Sequence, residues 1–307
     1  MFNWNWKRIG MTAGLSLTLI AAGCGSSDEG NEASGDSQDE VSYGEQMDYE
    51  ITGVEAGAGV VKTAQKATEE YENLDGWEVA PSSSGAMATA LGEAIEDEEP
   101  IIVTGWTPHW KFSKYDLKYL EDPKDLFGGE EQIKTMARQG LEEDKPNAYK
   151  ILDQFNWTTE DMETVMLEIT DGVSEEEAAN NWIENNQDKV DEWTKGTEEV
   201  DGTELDLVFV NWDSEIASTN VVAEVMKQQG FDVTITPIDN GTMWEAVASG
   251  EADGMVAAWL PRTHGDLYEQ HKEDLVDLGA NLEGAKVGLV VPKYMDVDSI
   301  EDLEPAE

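Results

Sequence analysis

Apolar and polar positions along this chain fall into two alternating patterns. Short apolar runs read as buried strands, and the segments between them carry helical periodicity. Tyr49–Val54 is a strand pattern, followed through Gly57-Ala58-Gly59-Val60 by helical character in Val61–Ala67. Further runs are Ile101–Gly105, Leu205–Asn211, Gly254–Ala258 and Gly288–Pro292, while Asn147–Trp193 reads as a helical stretch. Such alternation predicts an α/β architecture with largely parallel sheets.

Three of the runs deliver a tryptophan at their C-terminal end: Trp106, Trp212 and Trp259. Ligands of α/β sheets bind outside the carboxyl ends of the strands. Indoles converging there form an electron-rich box, which suits a quaternary ammonium group. The glycine-rich turn before Val61 presents backbone N–H groups at the positive end of a helix. That feature fits an anion site or a simple tight turn. It is not a dinucleotide fingerprint, because position 62 is Lys where the third glycine belongs.

Of three histidines, His264 lies five residues after Trp259 in the same strand-end loop and is placed to bond an anionic group beside the box. His109, in Trp106-Thr-Pro-His-Trp110, reads as a structural residue that bonds a backbone carbonyl. His271 sits in a polar helix and reads as exposed. Trp157, Trp182, Trp193 and Trp244 fall in helical patterns and read as core or interlobe packing; Trp77 reads as a strand residue, and Trp110 as a brace for the loop carrying Trp106. No catalytic set emerges: Gly-x-Ser-x-Gly and His-Glu-x-x-His are absent, and the histidines lack metal-site spacing. Asp296-x-Asp298 lacks the next ligand and the glycine of an EF-hand loop. The expectation is a binder without cofactor, metal or catalytic residues.

The N-terminus bears on where the chain works. Lys7 and Arg8 precede an uncharged stretch, Ile9–Gly23, too short to span a bilayer comfortably and suited to a signal peptide. Ile20-Ala-Ala-Gly-Cys24 resembles a lipobox, with Ile20 where Leu is commoner, and Cys24 is the sole cysteine. Residues 1–23 are therefore read as a lipoprotein signal peptide, and 24–46 as the lipidated Cys24 plus a flexible acidic linker. Trp4 and Trp6 belong to the signal.

Charge then excludes a partner class. With 67 acidic and 19 basic residues, the net charge of −48 rules against nucleic acid, which needs a basic stripe. The acids lie mostly in surface helix patterns, as in Glu175-Glu176-Glu177, and read as a solvated acidic surface of a protein exposed to high salt.

The chain resembles the glycine betaine-binding lipoproteins of ABC-type osmoprotectant importers, of the OpuAC type, from about Asp48 to Leu303. The resemblance is carried by Pro100-Ile-Ile-Val-Thr-Gly-Trp-Thr-Pro-His-Trp110, Leu117-Lys-Tyr-Leu-Glu-Asp-Pro-Lys124, Asn211-Trp-Asp-Ser-Glu-Ile-Ala-Ser-Thr-Asn220, Ala258-Trp-Leu-Pro-x-Thr-His264, and Gly288-Leu-Val-Val-Pro-Lys-Tyr-Met295 with Ser299-Ile-Glu-Asp-Leu303. It implies a two-lobed, periplasmic-binding-protein-like (type II) fold with a hinge and an interlobe ligand cleft. The family's cage tryptophans fall on Trp106, Trp212 and Trp259. Its carboxylate site, two backbone N–H groups and a histidine, falls on Gly59, Val60 and His264. The turn departs from the family's Gly-Ser-Gly-Ile, and Arg262 and Lys111 have no counterpart.

On this layout lobe one is 47–135 plus 289–307 and lobe two is 136–288, with ligand bridging them. The resemblance implies a monomeric receptor for glycine betaine or proline betaine on the outer face of the cytoplasmic membrane. Its partners would be permease subunits and their ATPase. Choline, carnitine or another methylated osmolyte is the alternative ligand class. An extracellular hydrolase or demethylase would need a nucleophile, metal or cofactor site, and none is found.

Overall fold

The computed structural model describes residues 41–306. The signal peptide, Cys24 and most of the linker lie outside the described residues. From Val41 onward the chain is one compact unit. Its strands are β1 (Glu50–Gly53), β2 (Glu78–Pro81), β3 (Val103–Thr107), β4 (Leu117–Tyr119), β5 (Glu131–Arg138), β6 (Thr203–Phe209), β7 (Phe231–Pro237), β8 (Gly254–Leu260) and β9 (Leu275–Pro292). They run in the order β2-β1-β3-β9-β5-β8-β6-β7, with β4 beside β9.

Strand β9 joins two sheets. Its first part, Leu275 to Ala285, pairs with β5, and Lys286 to Pro292 pairs with β3 and β4. Where it changes partners stands Gly284 at φ +77°, a left-handed conformation that costs an L side chain strain. The expectation of largely parallel sheets holds only at the flanks. β1 pairs in parallel with β2 and β3, and β6 with β7 and β8. Both pairings of β5, like those of β9 with β3 and β4, are antiparallel, because these strands pass between the sheets instead of returning through a crossover helix. We keep the lobe boundaries at 135/136 and 288/289 as a proposal; they fall inside β5 and β9.

The Asn147–Trp193 stretch forms four helices: Pro146–Gln154, Thr159–Thr170, Glu175–Asn185 and Gln187–Trp193. Trp157 differs from its helical reading. It precedes the capping box of Thr158 and Asp161, so it lies just outside the helix. There it joins Trp182, Trp193 and Phe155 in a buried aromatic cluster in which Trp182 and Trp193 stack at 5.4 Å. Trp77 immediately precedes β2, packs edge-on against Tyr49 and donates its indole N–H to the Glu304 carbonyl.

The Asp213–Gln228 helix is the pivot of the second sheet. Twelve of its sixteen residues are buried, including Ser214, Glu215, Ser218 and Thr219. A helix enclosed on most faces is ordinarily apolar all round, so the polar residues in its first turn need partners.

Candidate ligand-binding site

One cavity is lined by Val54, Ala58, Gly59, Val60, Trp106, Trp212, Trp259, Thr263 and Val287, with about 300 Å³ of atom-free space including its mouth. Local structure delivers each wall. Trp106 is the penultimate residue of β3 and Trp259 that of β8, while Trp212 caps the Asp213–Gln228 helix three residues beyond β6. Gly59 and Val60 open the Gly59–Glu70 helix, whose N-cap Ala58 offers no side-chain acceptor. The first amides of a helix have no intrahelical partner, which leaves these N–H groups, at the helix end that lines the cavity, available as donors. A Cβ on Gly59 would meet the Thr263 carbonyl oxygen at 2.5 Å; the backbones approach this closely only because the residue is glycine.

Each indole is held by its edge. Trp106 Nε1–H donates to Ser214 Oγ at 3.2 Å, Trp212 to Glu55 Oε2 at 2.9 Å and Trp259 to Glu215 Oε1 at 2.6 Å. Trp106 and Trp212 lie 6.4 Å apart, inclined at 46°. With the N–H groups spent on these acceptors, the π faces are left for a ligand, and a carboxylate on an indole N–H adds electron density to the ring.

His264 does not line the cavity itself but follows Thr263, which does. It is buried between two indoles, stacked on Trp212 at 6.0 Å and edge-on to Trp244 at 5.7 Å. Its Nδ1 accepts the backbone N–H of Trp259 at 3.0 Å, which leaves the proton of the neutral ring on Nε2. That Nε2 is buried without a partner. Burial, and then the charge of Lys62, lowers the imidazole pKa to about 3, so the ring stays neutral and keeps one orphan donor.

His109 corrects the expectation of a backbone-carbonyl bond. Its Nδ1 accepts the N–H of Lys111 at 3.2 Å, and Nε2 points at Asp213 Oδ2, 3.6 Å away. Asp213 also accepts Ser84 Oγ–H at 2.5 Å and Trp110 Nε1–H at 3.0 Å. Burial alone would raise its pKa, but the contact with His109 and the bonds from Ser84 and Trp110 hold the carboxyl well below the usual range. Trp110 thus braces its loop through Asp213. His271 is half-exposed.

Several site residues carried no sequence signal. Glu131 of β5 accepts the backbone N–H groups of Arg262 and Thr263 at 2.7 and 2.8 Å, fixing the loop before His264. Arg262 itself reaches Asp125. Lys111 is fully buried with Nζ unpartnered, 4.2 Å from the Trp106 ring centroid; burial lowers its pKa to about 7. Among the described residues no cluster of three or more His, Cys, Asp or Glu could hold a metal ion, and no helix is long and apolar enough to cross a membrane.

Two α/β sheets on a shared strand, with an aromatic cavity walled from both, define a solute-binding protein. The chain belongs to the OpuAC family, the substrate binding domain of ABC-type glycine betaine transport systems, which it matches over residues 33–185 and 203–307. It is 51% identical over 304 residues to the glycine betaine/carnitine transport binding protein GbuC of Listeria monocytogenes, covering 98% of this chain and 99% of that one. Among solved structures it is similar to lactococcal OpuAC in its closed-liganded conformation complexed with glycine betaine, at 53% identity over 52% of this chain and 62% of that chain, with a TM-score of 0.48. A glycine betaine, L-proline-binding protein (ProX) from Borrelia burgdorferi matches at 30% identity over 50% of this chain and 58% of that chain, with a TM-score of 0.44.

Proposed function

We propose that the chain is the lipid-anchored receptor of an ABC importer for glycine betaine, with proline betaine a further substrate, and that it works on the outer face of the cytoplasmic membrane. One observation carries the reading: a single cavity joins three indoles to the free amides of Gly59 and Val60, with the orphan Nε2–H of His264 beside it. Glycine betaine has a permanent cation that donates no conventional hydrogen bond and a carboxylate that demands donors. Each indole contact supplies about 0.5–2 kcal/mol, more when desolvated. Gly59, Val60 and His264 replace the water lost from the carboxylate with charge-assisted bonds. A ligand so held ties the two sheets together and stabilises a closed form that permease subunits would read.

Lys7 and Arg8, the uncharged stretch to Gly23 and the lone Cys24 support the anchor. The site offers binding groups and no reaction is assigned to it. GbuC carries carnitine in its name, which makes carnitine the second reading; the compact cavity favours the shorter zwitterion. Calorimetric titration with glycine betaine, carnitine and choline tests the assignment. Glycine betaine should bind tightest and choline, lacking a carboxylate, weakest, because its binding leaves buried donors unpaired. Choline binding as tightly as glycine betaine would refute it.

A further inference from the structure

Glu215 is a buried carboxylate that forms no ion pair among the described residues. Its side chain is 1% exposed. Oε1 accepts the indole N–H of Trp259 at 2.6 Å, and Oε2 accepts Ser214 Oγ–H at 2.5 Å. Ser214 Oγ in turn accepts the indole N–H of Trp106. Two of the three cavity indoles therefore end, directly or through one hydroxyl, on the same carboxylate. The formal charge that most affects it, Asp213, has its own sign.

We propose that Glu215 is the counter-charge for the ligand's quaternary ammonium, acting through the indoles of Trp259 and Trp106 to select cationic over neutral ligands of the same shape. The proposal rests on the betaine reading of the cavity.

A buried carboxylate is costly unless a cation offsets it. Neutral donors satisfy its hydrogen bonds but not its charge, and burial accordingly pushes the carboxyl up to about 7. If its task were only to hold the indole of Trp259, a neutral amide would accept the same N–H without that cost. What a carboxylate adds is a negative charge one ring away from the cavity, where a cation resting on the indole faces would meet it across a poorly screened medium. Glu55 plays the same geometric part for Trp212, but it is only half-buried and water screens it. Asp213 is already occupied by Ser84, Trp110 and the His109 contact. Glu215 is thus a positioning residue whose charge, rather than its hydrogen bond, sets specificity.

The test is Glu215→Gln, which removes the charge and keeps one oxygen acceptor for Trp259, while the amide NH2 that replaces Oε2 donates to Ser214 Oγ instead of accepting from it. Wild type and variant are titrated with glycine betaine and with 3,3-dimethylbutanoate, in which a quaternary carbon replaces the ammonium nitrogen. The preference for glycine betaine over its neutral-headed isostere should fall about ten-fold or more in the variant, with little loss of dimethylbutanoate binding. Equal weakening of both ligands, or an unchanged preference, would show a purely structural role and overturn the proposal. A folded wild type that binds neither ligand overturns the betaine reading, and this proposal with it.

Should Glu215→Gln not fold, the same preference is measured from pH 8.5 to 6 in a Lys111→Met chain. That background removes the other group titrating near neutrality. Of the remaining groups around Glu215, Asp213 stays ionised, His109 and His264 stay neutral, and Ser214 and Trp259 do not titrate in this range. The preference should decline as Glu215 gains its proton; a preference independent of pH overturns the proposal.

Discussion

The backbone N–H of Trp259 donates to Nδ1 of His264 at 3.0 Å, so one residue supplies an indole wall and also fixes the tautomer of the neighbouring donor. The same bond holds the His264 ring against Trp212 and leaves Nε2–H without a partner. Aromatic wall and proposed anion donor lie five residues apart in the chain.

Replacing His264 with alanine should weaken glycine betaine binding by roughly ten- to a hundred-fold, since a hydrogen bond to a charged group contributes about 1.5–3 kcal/mol. Calorimetry on the variant checks this. Because the ring's pKa lies near 3, its donor is already neutral throughout the usual range. No histidine-like titration of affinity should appear between pH 5 and 7 in a Glu215→Gln, Lys111→Met chain.

Affinity of the wild type should rise with pH through neutrality. Below about 7 the carboxyl of Glu215 holds a proton and offers no negative charge. Below about 7 the amine of Lys111, 4.2 Å from the Trp106 centroid, is cationic. Both changes disfavour a cation in the cavity, so the two signs agree, while Asp213 stays ionised throughout. Titrations at pH 6 and 8.5 should show weaker binding at the lower value; the reverse order would contradict both assignments.

Lys111→Met should stabilise the protein. The folded state buries an amine with no partner, and a thioether of similar length removes that cost, for a gain of about 1–3 kcal/mol. The folded pKa is depressed relative to the unfolded chain, so the penalty of Lys111 is full below about 7 and fades as pH rises toward its ordinary value. Thermal denaturation should therefore show the largest gain at pH 6 and a smaller one at pH 9.

Asp213→Ala should accelerate ligand release. Asp213 stands on the helix of the second sheet and accepts hydrogens from Ser84 and Trp110 on the side of the first. Losing these bonds removes cross-cleft contacts without touching the indole faces, so dissociation followed by tryptophan fluorescence should speed by about ten-fold, with association little changed.

The melting temperature should climb between low and molar salt. With 67 acidic against 19 basic residues, most surface carboxylates have no cationic neighbour, and screening relieves their mutual repulsion. An unchanged melting temperature would dispose of this expectation.

Local signals made much of the site legible. Strand-end tryptophans, the glycine turn that became a helix N-terminus, and His264 within one loop of Trp259 all depend on residues close in sequence. The partners that hold them do not. Glu215 meets Trp259 across 44 positions and Glu131 meets Thr263 across 132, and in a chain this acidic no single carboxylate stands out. Lys111, a residue without a counterpart in the family motif, carries no local signal of burial, and only tertiary packing buries it. The parallel-sheet expectation failed at β5 and β9 because nothing in an apolar run reveals its direction. Trp157 reads as helical from its surroundings, although Thr158 and Asp161 after it already mark a helix start.

A crystal structure of the domain with glycine betaine is the most direct test. The ammonium nitrogen should rest against the faces of Trp106, Trp212 and Trp259, with the carboxylate on the amides of Gly59 and Val60 and on Nε2 of His264. A betaine bound in the opposite orientation, or outside the tryptophan cavity, would contradict this placement.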